Sequence, residues 1–186
     1  MATPNIGNNR DPSWIWAADS GCFNEKTYRG DDTYLRWLDG MSQEEKSNCL
    51  FATAPDIVGA GQDSLTRSLP FLPKIREIGY PVALVTQDGM TPDMLPWDDF
   101  DWVFIGGTNA HKLGPEAKAI IHEAKTRRKP IHVGRVNSRR RFIAFDVLGC
   151  DTSDGTFLGF GPSTNLPKLM SWVRHCETQR PLPLEV

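Results

Sequence analysis

Six short apolar runs, each ending on a polar or glycine group, alternate along the chain with helix-like stretches, and this rhythm restricts the fold most. Residues 14–18 hand over to Asp19-Ser20-Gly21, residues 49–54 to Pro55-Asp56, and residues 81–86 to Gln87-Asp88-Gly89. Residues 102–105 lead into Gly106-Gly107-Thr108, residues 130–133 into Gly134-Arg135, and residues 150–153 into Asp154. Apolar runs of this length bounded by turn formers read as buried strands. Strands alternating with helices imply a parallel sheet with right-handed crossovers. Spacing alone leaves an open doubly wound sheet and a barrel both standing.

The stretches between the runs carry helical patterns. Asp31 or Asp32 caps a short helix over 31–38, with Leu35 and Leu38 inward. Residues 64–78 place Leu65, Leu69, Leu72, Ile75 and Ile78 at helical spacing, with Pro70 and Pro73 expected to break or kink the first half and Gly79 to stop it. Residues 114–128 form the clearest helix, with Pro115 at its start and Ala117, Ile120, Ile121 and Ala124 on one face. A helix over 138–148 ends at Gly149, and a last helix covers 163–176. Residues 1–13 are rich in Asn, Pro and Gly and read as irregular. The 186 residues are expected to form one domain, without internal repeats.

Composition narrows the function classes. The formal net charge is −2, so contact with nucleic acid needs a local patch of cations. The four cysteines include no C-x-x-C pair, against a zinc ribbon or disulfide framework and in keeping with a reducing compartment. No run approaches the ~20 apolar residues of a membrane span, and the start of the chain is not signal-like. A cytoplasmic protein without membrane, metal or cofactor is the expectation. His111, His122, His132 and His175 show no ligand spacing.

In sheets covered by helices, groups at the carboxyl ends of strands face the ligand crevice. Asp19 is therefore placed either for chemistry or simply to cap its own turn. The strand ends supply Asp19, Asp56, Gln87, Gly106-Gly107, Gly134-Arg135 and Asp154, and paired carboxylates with an amide and exposed backbone groups suit recognition of a nucleobase edge, which makes Asp56 a substrate-binding candidate. They also suit cleavage of a glycosidic bond, where one carboxylate attacks and another handles the leaving group's proton. Arg139-Arg140-Arg141 opens a helix, where three cations oppose the dipole, so phosphate contact accounts for them better than helix physics does. Arg127-Arg128-Lys129 ends a helix, where cations are favourable, and reads as a solvated end. Most of the tryptophans are expected in the core, with Trp97 the one set for exposure amid Pro96 and Asp98-Asp99.

Taken together and in this order, the strand ends resemble those of the tRNA-guanine transglycosylases and their relatives that insert deazapurines into DNA. The resemblance runs from Trp14 to Thr156. Asp19-Ser20-Gly21-Cys22-Phe23 resembles the family's Asp-Ser-Gly-Gly-Phe segment, which implies Asp19 as general acid/base and Ser20 beside the substrate. Pro55-Asp56-Ile57-Val58 resembles the strand end before the base-binding carboxylate, whose place falls on Gln62, with Asp63 next to it. Gln87-Asp88-Gly89 is similar to the base-binding Gln-Gly-Gly, and Ile105-Gly106-Gly107 to the turn whose backbone reads the base. Residues 149–154 align with the segment of the nucleophile, which lands on Asp154, with Asp151 as runner-up. Arg135 joins the substrate-binding set by its place at a strand end.

Two departures bear on the expectation. The family's Cys-x-Cys-x-x-Cys…His zinc subdomain is missing after Thr156, and Cys176 with His175 does not supply it. The chain is also about half the family's usual length. The fold implied is a trimmed or incomplete TIM-type (β/α) barrel of parallel strands, and the activity that of the small phage-type branch. Guanine in DNA would be exchanged for a 7-deazaguanine-type base in a bacterial or phage-infected cell, through a covalent aspartyl-glycosyl intermediate. Partners would be DNA, with tRNA less favoured, and a free purine or deazapurine base, with room for a homo-oligomer. An N-glycosidase and a non-catalytic nucleic-acid-binding remnant of the fold are the alternatives.

Overall fold

The computed structural model describes residues 1–5 and 11–179. The chain divides into two compact units, Met1–Ile131 and His132–Val186. The first opens with β1 (Trp16–Ala18), α1 (Asp31–Asp39), α2 (Gln43–Ser47) and β2 (Cys49–Thr53). It continues with α3 (Gly61–Ser68), α4 (Phe71–Ile78), β3 (Val82–Thr86), β4 (Trp102–Ile105), α5 (Asn109–Lys112) and α6 (Pro115–Thr126). β5 (Ile131–Val133) begins on its last residue, and α7 (Arg139–Val147), β6 (Thr152–Ser153) and α8 (Pro162–Gln179) follow in the second unit.

In the first unit β1, β2, β3 and β4 lie side by side in chain order, all parallel. β5 and β6 are parallel in the second. Neighbours in chain order joined by helical crossovers are the order of a (β/α) barrel, whereas a doubly wound sheet reverses part-way. With six strands among the described residues against the eight of a full barrel, the fold is a trimmed (β/α) barrel.

Packing explains why these segments become strands. Ala17, Phe51, Ala83, Val85 and Phe104 form one buried cluster, with Leu50 and Trp102 against it. Helices α3 and α4 pack on β3, and α6 on β4. Between Trp16 and Ala18 the register slips, Trp16 facing Cys49 and Ala18 facing Ala52, an irregularity just before the turn that carries Asp19.

Several expectations are corrected. The stretch 64–78 does break at Pro70 as expected, because Pro70 lacks the N–H that a continuous helix needs, but its first half starts earlier, at Gly61. Pro73 sits in the first turn of α4, where a missing N–H costs little. On α1 the buried pair is Tyr34 and Leu38, not Leu35 and Leu38, and Tyr34 Oη donates to Thr53 O at 3.0 Å. Trp97 is buried at 8% exposure, with its indole N–H on Pro92 O at 2.7 Å. The run at 127–129 is more than a solvated end. The Arg127 guanidinium lies 5.1 Å from the Trp97 ring centroid, and Lys129 Nζ donates to Phe100 O at 2.6 Å. Of the irregular segment 1–13, residues 6–10 lie outside the described residues. Ala2 is ordered by β1: its N–H donates to Ala17 O at 2.9 Å, and its carbonyl accepts from Asp19 N at 2.8 Å. The last helix is longer than 163–176, running over Pro162–Gln179.

Candidate functional site

Side chains alternate faces along a strand, so residues two apart share a face. Asp19 therefore continues the face of Ala17, Gln87 that of Val85, and Gly106 that of Phe104, all beyond the carboxyl ends of their strands. This is the end at which barrel enzymes carry their chemistry.

The groups beyond β1, β2 and β3 converge on Asp56. Its Oδ2 accepts from Gln87 Nε2 at 2.5 Å and its Oδ1 from the Cys22 thiol at 3.0 Å. Gln87 is buried and pinned from its other side, where Oε1 accepts from Gly59 N at 2.9 Å. Arg67 fixes the backbone here: one Nη donates to Asp56 O at 3.0 Å, the other to Asp31 Oδ1 at 3.1 Å. Burial raises the Asp56 carboxyl above its ordinary value, and the Cys22 and Gln87 hydrogen bonds only partly oppose it. Burial also pushes the Cys22 thiol up to about 12, helped by the Asp56 charge, so Cys22 stays a donor rather than a thiolate.

Asp19 is half-buried, and its Oδ1 accepts from Gly21 N at 2.7 Å, so it does cap its own turn. Ser20 is buried, with its N–H on Thr53 Oγ1 at 3.1 Å. Asp88, next to Gln87, turns to the following strand end, where Oδ2 accepts from Thr108 N at 2.8 Å and Oδ1 from Thr108 Oγ1 at 2.5 Å. The two glycines between make this approach possible. A Cβ on Gly106 would stand 2.8 Å from Thr86 O, and one on Gly107, whose φ is 77°, would stand 2.5 Å from Asp88 Oδ2. Gln62 and Asp63 are exposed in the first turn of α3. The carboxylate that the fold brings to Gln87 is Asp56.

The second unit builds a separate cluster at Asp154. Thr152 stands opposite His132 in register, and Asp154, two residues on, falls on the same face. His132 Nδ1 lies 2.8 Å from Thr152 Oγ1, and Nε2 lies 3.2 Å from Asp154 Oδ1. The Arg135 backbone N–H donates to the same Oδ1 at 3.1 Å. Arg135 takes φ 58°, a left-handed conformation rare outside glycine, which curls the strand end back onto the carboxylate; its side chain is exposed. Among the described residues no donor engages Asp154 Oδ2. Burial alone would raise the Asp154 carboxyl, but the His132 hydrogen bond, the attraction to His132 and the Arg135 N–H outweigh it and hold it below its ordinary value. Burial lowers His132, which is therefore neutral near pH 7.

Asp151, the alternative nucleophile, is exposed and lines a different feature. This cleft of about 380 Å³ is bounded by Phe142, Phe145, Cys150, Val173 and Glu177 among others, and Asp154 is not in its wall. Arg139, Arg140 and Arg141 form the first turn of α7, with Arg139 and Arg140 exposed, behind an N-cap in which Ser138 Oγ accepts from Arg141 N. Among the described residues no group of three or more His, Cys, Asp or Glu is placed to hold a metal ion, and no helix is long and apolar enough to cross a membrane.

Sequence reasoning missed His132, Cys22 and Arg67. His132 carried a signal: it is the polar residue inside the run 130–133, facing a Thr-x-Asp pair at period two. Cys22 and Arg67 carried none, since their roles rest on partners 34 and 11 residues away.

No family model matches the sequence, and no curated protein matches it. Among solved structures, the chain is similar to tryptophan synthase from M. tuberculosis in its open form with BRD0059 bound. The identity is 17%, the TM-score 0.50, and the match covers 76% of this chain and 55% of that one. It is also similar to 3-hexulose-6-phosphate synthase from Salmonella typhimurium, at 16% identity and TM-score 0.49, over 69% of this chain and 63% of that one. The chain thus spans little more than half the length of the first of these neighbours. At such identity the likeness speaks to the fold, a (β/α) barrel, and to nothing finer.

Proposed function

We propose that the protein is a nucleobase transglycosylase acting on DNA, exchanging guanine for a 7-deazaguanine-type base. The observation that carries this reading is the state of Asp154: a carboxylate kept ionised, with Oδ1 held by two donors and Oδ2 uncommitted among the described residues. An oriented anion with one open oxygen is what a nucleophile at a sugar carbon has to be.

In this reading Asp154 Oδ2 attacks C1′ as the bond from C1′ to the base nitrogen breaks. The electron pair of that bond leaves with guanine, which takes a proton from a general acid, the role that the strand-end resemblance implies for Asp19. The incoming base returns its ring N–H proton to that acid, and its nitrogen displaces Asp154 from C1′. Asp56 and Gln87 supply the acceptor and amide that distinguish a purine edge, with the Gly106-Gly107 backbone beside them. Arg139, Arg140 and Arg141 contact phosphates. The resemblance of the strand-end motifs supports the same assignment.

The test is incubation with radiolabelled guanine and either duplex DNA or tRNA. Label entering duplex DNA is the expected result. Abasic sites without label would instead indicate an N-glycosidase, label confined to tRNA would reassign the substrate, and binding alone would mark a non-catalytic remnant.

A further inference from the structure

Thr152, His132 and Asp154 form a hydrogen-bonded chain that the transglycosylase reading does not by itself require. We propose that Thr152 and His132 are positioning residues: together they fix the Asp154 carboxylate in the orientation that presents Oδ2 to the sugar. The proposal rests on the reading of Asp154 as nucleophile.

The polarity of the chain follows from its chemistry. A carboxylate only accepts, so the imidazole nitrogen facing Asp154, Nε2, carries the hydrogen. A neutral imidazole has a single N–H, so Nδ1 is the acceptor and takes the Thr152 hydroxyl hydrogen at 2.8 Å. Thr152 therefore selects the tautomer, and the tautomer holds Oδ1. Direct pairing of Thr152 with His132 across β5 and β6 makes the contact part of the sheet register rather than a chance rotamer. The His132 side chain is buried at 4% exposure, so no water competes freely for either nitrogen. Arg135 N–H adds a second, backbone anchor to the same oxygen. Without the imidazole, Oδ1 keeps one anchor and the carboxylate gains a rotation about its last bond. Misplacing a reacting atom by about 1 Å costs about 10²-fold in rate.

Three variants test this with two independent readouts, ring and carboxyl NMR on the whole chain and single-turnover exchange of guanine into duplex DNA. Wild-type His132 should show a protonated Nε2 and a bare Nδ1. His132→Gln places an amide N–H where Nε2 stood and should keep the Asp154 titration and most of the rate. His132→Phe should raise the midpoint of the Asp154 carboxyl and slow the covalent step about 10²-fold, leaving KM for the base unchanged. Thr152→Val, the mildest packing change, should mix the tautomers and slow the step about tenfold. A wild-type ring protonated on Nδ1, or a His132→Phe variant that folds and keeps both the Asp154 midpoint and the rate, overturns the proposal. If His132→Phe does not fold, the Thr152→Val spectrum decides: an unchanged single tautomer overturns it. If wild type exchanges no base at all, the activity reading has failed, and the NMR readouts alone still decide whether Asp154 is held by His132.

Discussion

Asp56 and Asp154 stand in equivalent places, each just past the carboxyl end of a parallel strand, and each accepts hydrogen bonds from two neighbours. Their surroundings nonetheless push them in opposite directions, Asp56 up and Asp154 down. Burial acts on both. Their partners differ: a thiol whose own proton is held to about 12 and a primary amide at Asp56, against an imidazole that also attracts the anion and a strand-end backbone N–H at the less deeply buried Asp154. Burial thus sets the cost of a charge, and the partners decide in which direction the balance falls.

The largest expected effect comes from removing the anion. Asp154→Asn should fold and lose base exchange by about 10⁴-fold or more, since an amide is a far poorer nucleophile. Asp151→Asn should leave exchange near the wild-type rate. The reverse outcome in a guanine-exchange assay would move the nucleophile three residues toward the N-terminus.

Next in size is DNA affinity. Replacing Arg139, Arg140 and Arg141 with Gln should weaken binding across all sequences and flatten its salt dependence, with the log–log slope falling by up to ~0.9 for each phosphate that is no longer neutralised. Replacing Arg127, Arg128 and Lys129 with Gln should instead lower the unfolding temperature, because Arg127 covers Trp97 and Lys129 donates to Phe100 O. Equal reductions of affinity in the two triple variants, read by filter binding over a salt series, would reduce the effect to generic charge.

A smaller effect sharpens the comparison itself. Asp154, held below its ordinary 3.8, adds stability above that value that is lost as pH falls through its folded value. Asp56, held above 3.8, contributes the other way: its stabilisation is present below 3.8 and lost as pH rises through its folded value. Thermal unfolding from pH 2 to 7 should therefore show Asp56→Asn gaining on wild type as pH rises, and Asp154→Asn losing ground over the same range. Parallel trends in the two variants would mean that their partners do not separate the sites.

The smallest expected effect belongs to His132. Burial lowers its folded value below the ordinary 6.5, so stability should decline as pH falls below about 6.5, and His132→Gln should abolish that part of the decline. Urea midpoints at pH 5 and pH 7 measure it.

How much of this was legible in the sequence varies by residue. The strands were, because apolar runs that stop at Asp19, Asp56, Gln87 and Asp154 leave few alternatives to buried parallel strands. The break at Pro70 was half legible: the missing N–H is written in the sequence, but whether a chain kinks or stops depends on what its two halves pack against. Helix α2 was legible and overlooked, since Ser42 and Glu45 form a capping box by spacing alone. Trp97 misled because its charged neighbours are exposed while its indole turns the other way, under Arg127 and onto Pro92 O. Asp56 and Gln87 were legible as strand-end groups, but the cluster they build was out of reach. Its members come from three strand ends and from α3, and only tertiary packing brings Cys22 and Gln87 to one carboxylate, in the place that motif spacing gave to Gln62 and Asp63.

The most direct test of the central claim locates the covalent bond. The protein is incubated with duplex DNA in the absence of any free base, denatured, digested with nuclease and protease, and the modified peptide is sequenced by mass spectrometry. A deoxyribosyl adduct on Asp154, absent from the Asp154→Asn variant, is the predicted result. An adduct on Asp151 or Asp19, or base loss from the DNA with no adduct on the chain, would contradict it.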